Sequence, residues 1–129
     1  MLSKTKTAGA LLLFLGGAIG AAARYAVELS VSGLPSYPLL ATSIVNLLGA
    51  FALGIVNAHS FFQKPNLRLF YGVGLLGSFT TMSGLAAISA GADLGLGASA
   101  ILYWLFVLAQ LVIGVLVYGL GRKLGRSRK

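Results

Sequence analysis

The chain has 129 residues, of which 57% are hydrophobic and 9% charged, with a mean hydropathy of +0.91. A soluble domain of this size needs roughly a quarter of its residues charged to cover its surface, so lipid is the expected surround. No cysteine, one histidine and two carboxylates against a net charge of +8 exclude disulfides and thiolate metal sites and leave almost nothing for acid–base catalysis.

A bilayer core about 30 Å thick takes about 20 helical residues, and four stretches of a single domain reach that length. The first covers residues 7–30. Its start, with Lys4, Lys6 and small residues at Ala21, Ala22 and Ala23, also fits a secretory signal peptide. Its length, the Gly16-Gly17 interruption and Arg24 ahead of any cleavage point favour a retained helix. Arg24 stands four residues before Glu28, at helical pairing distance, and is expected to anchor the outer end at a vestibule that would attract anions. Residues 31–37, with Gly33 and Pro35, form the first linker.

The second span covers residues 38–62 and carries Asn46 at its middle. An amide in hydrocarbon must find partners, so Asn46 is either interhelical glue or a donor lining a path. Thr42, one turn earlier on the same face, extends a polar track. Gly49 and Gly54, like Gly16 and Gly20 before them, allow close helix contact. The linker at residues 63–66 holds Pro65.

The third span, residues 67–91, differs from the others. Between Gly72 and Gly84 it holds four glycines and four hydroxyl residues, Ser78, Thr80, Thr81 and Ser83. Glycine weakens a helix by about 1 kcal/mol relative to alanine, and hydroxyls offer the backbone other partners. A break near mid-membrane is predicted there, against the alternative of a continuous helix. Unwound backbone at that depth must be buried in protein or line a polar cavity. Its carbonyls could then hold a cation, and its helix ends could face an anion. A glycine linker at residues 92–97 leads to the fourth span, residues 98–120, which carries Gln110 as its one polar amide.

Charge placement sets the predicted topology. Lys4, Lys6, Lys64, Arg68, Arg122, Lys123, Arg126, Arg128 and Lys129 are nine of the ten basic residues, and all fall on one side of a four-span chain. Glu28 and Asp93 fall toward the other. Basic residues in short loops stay in the cytoplasm, so both termini and the second linker are expected there. The same placement accounts for the charge without nucleic-acid binding.

At these segments the chain resembles the Fluc (CrcB) fluoride channel family. The resemblance is carried by Gly16 to Tyr25 in the first span, Thr42 to Phe51 in the second and Gly74 to Ser83 in the third, and it extends over all four spans. It implies an all-α membrane protein of four helices, the third broken, paired as an antiparallel dimer. Two narrow pores would conduct fluoride passively out of a bacterial cell through the inner membrane. It further implies a structural sodium ion held by the backbone carbonyls of Gly77 and Thr80. The ion pathway would be lined by Asn46, Thr42, Thr81, Met82, Ser83, Leu85 and Gln110.

The family pattern after the two threonines is Phe-Ser-Thr-Phe, whereas this chain reads Met82-Ser83-Gly84-Leu85. Both rings are missing, so a partner subunit is expected to supply them. The one-sided basic residues agree, because a chain that must insert both ways needs nearly balanced charge. A heterodimer with a homologue of opposite topology is therefore expected over a homodimer. The alternatives are a non-conducting partner subunit and a proton-coupled multidrug exporter. The exporter would need a membrane-embedded carboxylate, for which only Glu28 is available.

Overall fold

The computed structural model describes residues 2–89 and 100–126. The predicted linker at 92–97, with Asp93, and the terminal Arg128 and Lys129 lie outside them. Among the described residues the chain is all α, and four of its helical segments are long and apolar enough to cross a membrane: Lys6–Val31, Tyr37–Ala58, Pro65–Ala87 and Ile101–Arg126. Their outward faces are apolar, with Phe14, Trp104, Val115 and Leu116 all more than half exposed. A surface of that kind is stable only against lipid or another protein, so this is a multi-pass membrane protein.

Helix α1 is Leu2–Val31 and α2 is Tyr37–Ala58. Pro38 sits in the first turn of α2, where its missing N–H costs nothing. The third span is two helices. The first, α3, covers residues 65–79; within it Arg68–Leu76 winds as a π-helix. After a break at Thr80 and Thr81 comes α4, Met82–Ser89, and further along the chain α5, Ala100–Arg126.

Two helix pairs make the bundle, and glycine contacts set the distance within each. In the α1–α3 pair, a methyl group at Gly16 would lie 2.6 Å from the Phe70 carbonyl oxygen, and one at Gly20 would overlap that of Leu75. The wide turns of the π segment push carbonyls outward, and glycine is the only residue that lets α1 approach them. In the α2–α5 pair, Gly54 abuts the Tyr118 carbonyl and Gly121 that of Phe51. Lipid gives helices no hydrophobic reason to associate, so such close backbone packing has to hold them.

Helix α1 begins at Leu2, ahead of the expected residue 7, and α3 at Pro65, ahead of 67; two further boundaries differ for local reasons. Helix α2 stops at Ala58, short of residue 62, because His59 turns extended and its Nδ1 accepts the Phe61 N–H at the start of a 3₁₀ turn, Ser60–Gln63. Gln63 Nε2 then donates to the carbonyls of Asn57 and His59, at 3.1 and 3.4 Å, and satisfies the helix end. Helix α5 runs past residue 120 to Arg126 because Gly121 and Gly125 keep it on α2, the latter against Ile55 and Ala58.

Replacing Gly54 with Val forces a side chain into the Tyr118 carbonyl, an overpacking that costs about 1–3 kcal/mol. Gly119, with open space where a side chain would go, should accept Ala without loss. Gly54→Val is therefore expected to lower the temperature at which the detergent-solubilised protein loses its monodisperse elution peak, and Gly119→Ala to leave it unchanged or raise it.

Candidate functional site

The break in the third span is organised by one side chain. Asn46 Nδ2 donates to the Thr81 carbonyl at 3.0 Å, and its Oδ1 accepts the Thr81 N–H at 2.8 Å. The two bonds reproduce the pairing of one peptide group with another. Thr80 is extended, with ψ near 157°, and Thr81 Oγ1 accepts the Gly84 N–H at 3.0 Å. That is an N-cap for α4, the role for which threonine is suited. Ser83 Oγ lies 2.9 Å from the same Thr81 hydroxyl.

These bonds remove two donors from the helical ladder. In a continuous helix the Thr81 N–H would close on the Gly77 carbonyl, and the Gly84 N–H on that of Thr80. Here the first goes to Asn46 and the second to the Thr81 side chain. The carbonyls of Gly77 and Thr80 are thus among those at the break that lose their helical partners. Among the described residues no three His, Asp or Glu side chains gather to hold a metal ion. An alkali cation, which unwound backbone carbonyls can coordinate, would find suitable oxygens at these two residues.

A cleft of about 340 Å³ opens beside the break, between α2, α3, α4 and α5. Six of the sequence-predicted residues line it: Asn46, Gly77, Thr80, Met82, Leu85 and Gln110. Gly49 forms part of its wall because the Thr80 methyl occupies the space a side chain there would need. Met82 is 71% exposed and Leu85 is buried. Gln110 Nε2 is in close hydrogen-bond contact with Ser43 Oγ, which itself donates to the Leu39 carbonyl at 2.7 Å. Gln110 Oε1 is buried without a partner among the described residues.

Four other predicted residues are not in the lining. Thr42 and Thr81 are buried beside the break, Ser83 is exposed, and Arg24 stands on α1 with Nε 3.8 Å from Glu28 Oε1. Three polar residues escaped the sequence reading: Ser43, Asn57 and Tyr118. Asn57 follows Asn46 by eleven residues, three helical turns, so period alone could have placed it on the same face.

A polytopic helical protein with a broken span beside a cleft that a few polar side chains line has the features of a membrane ion pathway. The profile of the CrcB-like, camphor resistance (CrcB) family matches residues 11–122, and the chain belongs to that family. It is 37% identical over 116 residues to the fluoride-specific ion channel FluC 1 of Methanospirillum hungatei, covering 88% of this chain and 75% of that one. It is also 37% identical over 123 residues to the fluoride-specific ion channel FluC of Thermosipho melanesiensis, covering 92% and 96%. A shorter match, 49% over 74 residues, is to FluC of Idiomarina loihiensis, covering 54% and 56%. No solved structure matches the chain.

The clamp predicts a distinct mutational pattern. Asn46→Leu leaves the Thr81 N–H and carbonyl without their partners, at about 1–3 kcal/mol for each buried group. Thr81→Val removes the cap, about 1 kcal/mol, and the contact with Ser83 Oγ, but leaves both Asn46 bonds to the backbone in place. Hydrogen exchange read by mass spectrometry on peptides spanning 78–86 should accelerate strongly in the first variant and modestly in the second.

Proposed function

We propose that the chain is one subunit of a dimeric channel that conducts fluoride passively out of a bacterial cell, with no catalysis and no ATP. Membership of the CrcB-like family supports this reading, and one observation carries it: a broken span held open by Asn46 beside a cleft. Fluoride is small and strongly hydrated, so entering the membrane requires donors that replace its water. The cleft offers few: Asn46 is engaged with Thr81, and Gln110 donates to Ser43.

The same poverty of donors argues for a partner. Gly77, in the last helical turn before the break, is exposed, and a carbonyl without its helical partner is not tolerated against lipid. An antiparallel partner across this face would cover it. Gly77 and Thr80 would hold a sodium ion through their carbonyls, and its charge would lower the cost of an anion nearby. Met82 and Leu85 bring no aromatic edge to the cleft, so the partner would supply the rings. Nine one-sided basic residues orient this chain with both ends in the cytoplasm of the inner membrane, and the partner would be a homologue of opposite orientation. Numbered relatives, FluC 1 in Methanospirillum hungatei and FluC 2 in Leifsonia xyli, fit a chain that exists beside a second version.

A second reading has a specific observation behind it. The unpartnered Gln110 Oε1 presents a buried acceptor at the cleft, which repels an anion, so this subunit could complete the dimer without conducting through its own cleft.

Fluoride efflux from liposomes distinguishes these readings. The purified chain alone should give little flux, and the chain co-purified with an oppositely charged homologue should give a large one. Absence of flux from both preparations would sink the channel reading. Asn46→Asp places a carboxylate at the break and should cut the paired flux by tenfold or more. A tag at the N-terminus should react only from the cytoplasmic side; labelling from both sides would overturn the heterodimer.

A further inference from the structure

At its far end, away from Gln110 and Met82, the lining of the cleft reaches the half-buried Tyr118, eight residues further along α5 and one turn before the exposed Arg122. The separation from Gln110 is about 12 Å of helix. Between these ends the α5 lining is Leu111, Gly114 and Val115, and α2 adds Ala50 and Leu53, all without a polar side chain. The Tyr118 hydroxyl is therefore the one polar side-chain group of the lining at this end.

Its hydrogen bonding fixes what it can do. Asn57 Nδ2 donates to Tyr118 Oη at 3.2 Å, so the phenol oxygen serves as an acceptor there. The phenol's own O–H finds no acceptor among the described residues and remains available to donate. Arg122, one turn further on, places its guanidinium carbon 5.9 Å from the Tyr118 ring centroid. A cation over the ring face is attracted to it and polarises the O–H, making it a better donor. Asn57 is in turn set by the turn that follows it, where Gln63 Nε2 donates to the Asn57 carbonyl.

We propose that Tyr118, positioned by Asn57 and flanked by Arg122, is the anion entry site of the cleft. The inference rests on the fluoride-channel reading and deepens it: the phenol O–H gives the incoming halide its first hydrogen bond from protein, while Arg122 raises the local anion concentration. Positive charge at a mouth acts over distance and is screened by salt, whereas a single donor acts by contact. The two residues therefore leave different signatures.

The test uses the flux assay in whichever preparation, single or paired, carries fluoride. Tyr118→Phe keeps the ring and removes the donor, and should lower flux about tenfold at every fluoride concentration, the scale of one lost hydrogen bond. Arg122→Gln should lower flux several-fold in dilute salt, with the difference vanishing near 1 M salt, where the screening length is about 3 Å. Arg122→Lys should restore most of it. Wild-type flux from Tyr118→Phe, or an Arg122→Gln deficit that ignores salt, would overturn the entry site and leave the channel reading intact. Absence of flux from the wild type in both preparations would overturn both. If Tyr118→Phe loses its monodisperse peak, the salt dependence of Arg122→Gln decides alone.

Discussion

The structure depends on the amide of Asn46 meeting the peptide of Thr81. A primary amide and a peptide group are matched donors and acceptors, so one side chain satisfies both polar groups of a residue that has left the helix. Without that match, extended backbone inside a span would leave polar groups in hydrocarbon. With it, the α4 cap, the diversion of the Thr81 and Gly84 N–H groups away from the Gly77 and Thr80 carbonyls, and the opening of the cleft follow from local geometry. The same two bonds tie the α2–α5 pair to the third span.

Much of this was legible in the amino-acid sequence. The four spans followed from hydropathy and length, and the break from the density of glycine and hydroxyl residues between Gly72 and Gly84. Asn46 was identified as costly, with its role open between glue and path; the geometry gives it bonds to the break while also placing it in the cleft wall. The rest was set by contacts distant in sequence. The π geometry of Arg68–Leu76 is fitted to Gly16 and Gly20 on α1, some fifty residues away, and nothing within the segment announces it. The partner of Gln110 is Ser43, which no periodicity within α5 could supply. Helix α2 ended early because His59 and Gln63 compete locally for its terminal groups, a signal weaker than the apolar run that continues through Phe61 and Phe62.

The departure from the family pattern at Met82-Ser83-Gly84-Leu85 also has a steric side. A methyl group at Gly84 would lie 2.9 Å from both Thr42 Oγ1 and the Thr81 Cγ2 methyl. Thr42 and Gly84 thus form a complementary pair, the side chain on α2 filling what the residue on α4 omits. A hydroxyl residue at position 84 would require both the Thr42 and the Thr81 side chains to move.

The Asn46–Thr81 bridge also joins segments that are synthesised at different times. As the chain leaves the ribosome, α2 enters the membrane before the segment that carries Thr81 has been made. Its amide then lies in the bilayer with only water defects, lipid headgroups or the translocon for company. Arrival of the third span relieves that condition and, in the same event, imposes the break, since the Thr81 N–H cannot serve both Asn46 and Gly77. Helix α5, made later still, contacts α2 through Gly54 and Gly121. The irregular span is thus the outcome of assembly, written into an earlier helix and executed by a later one.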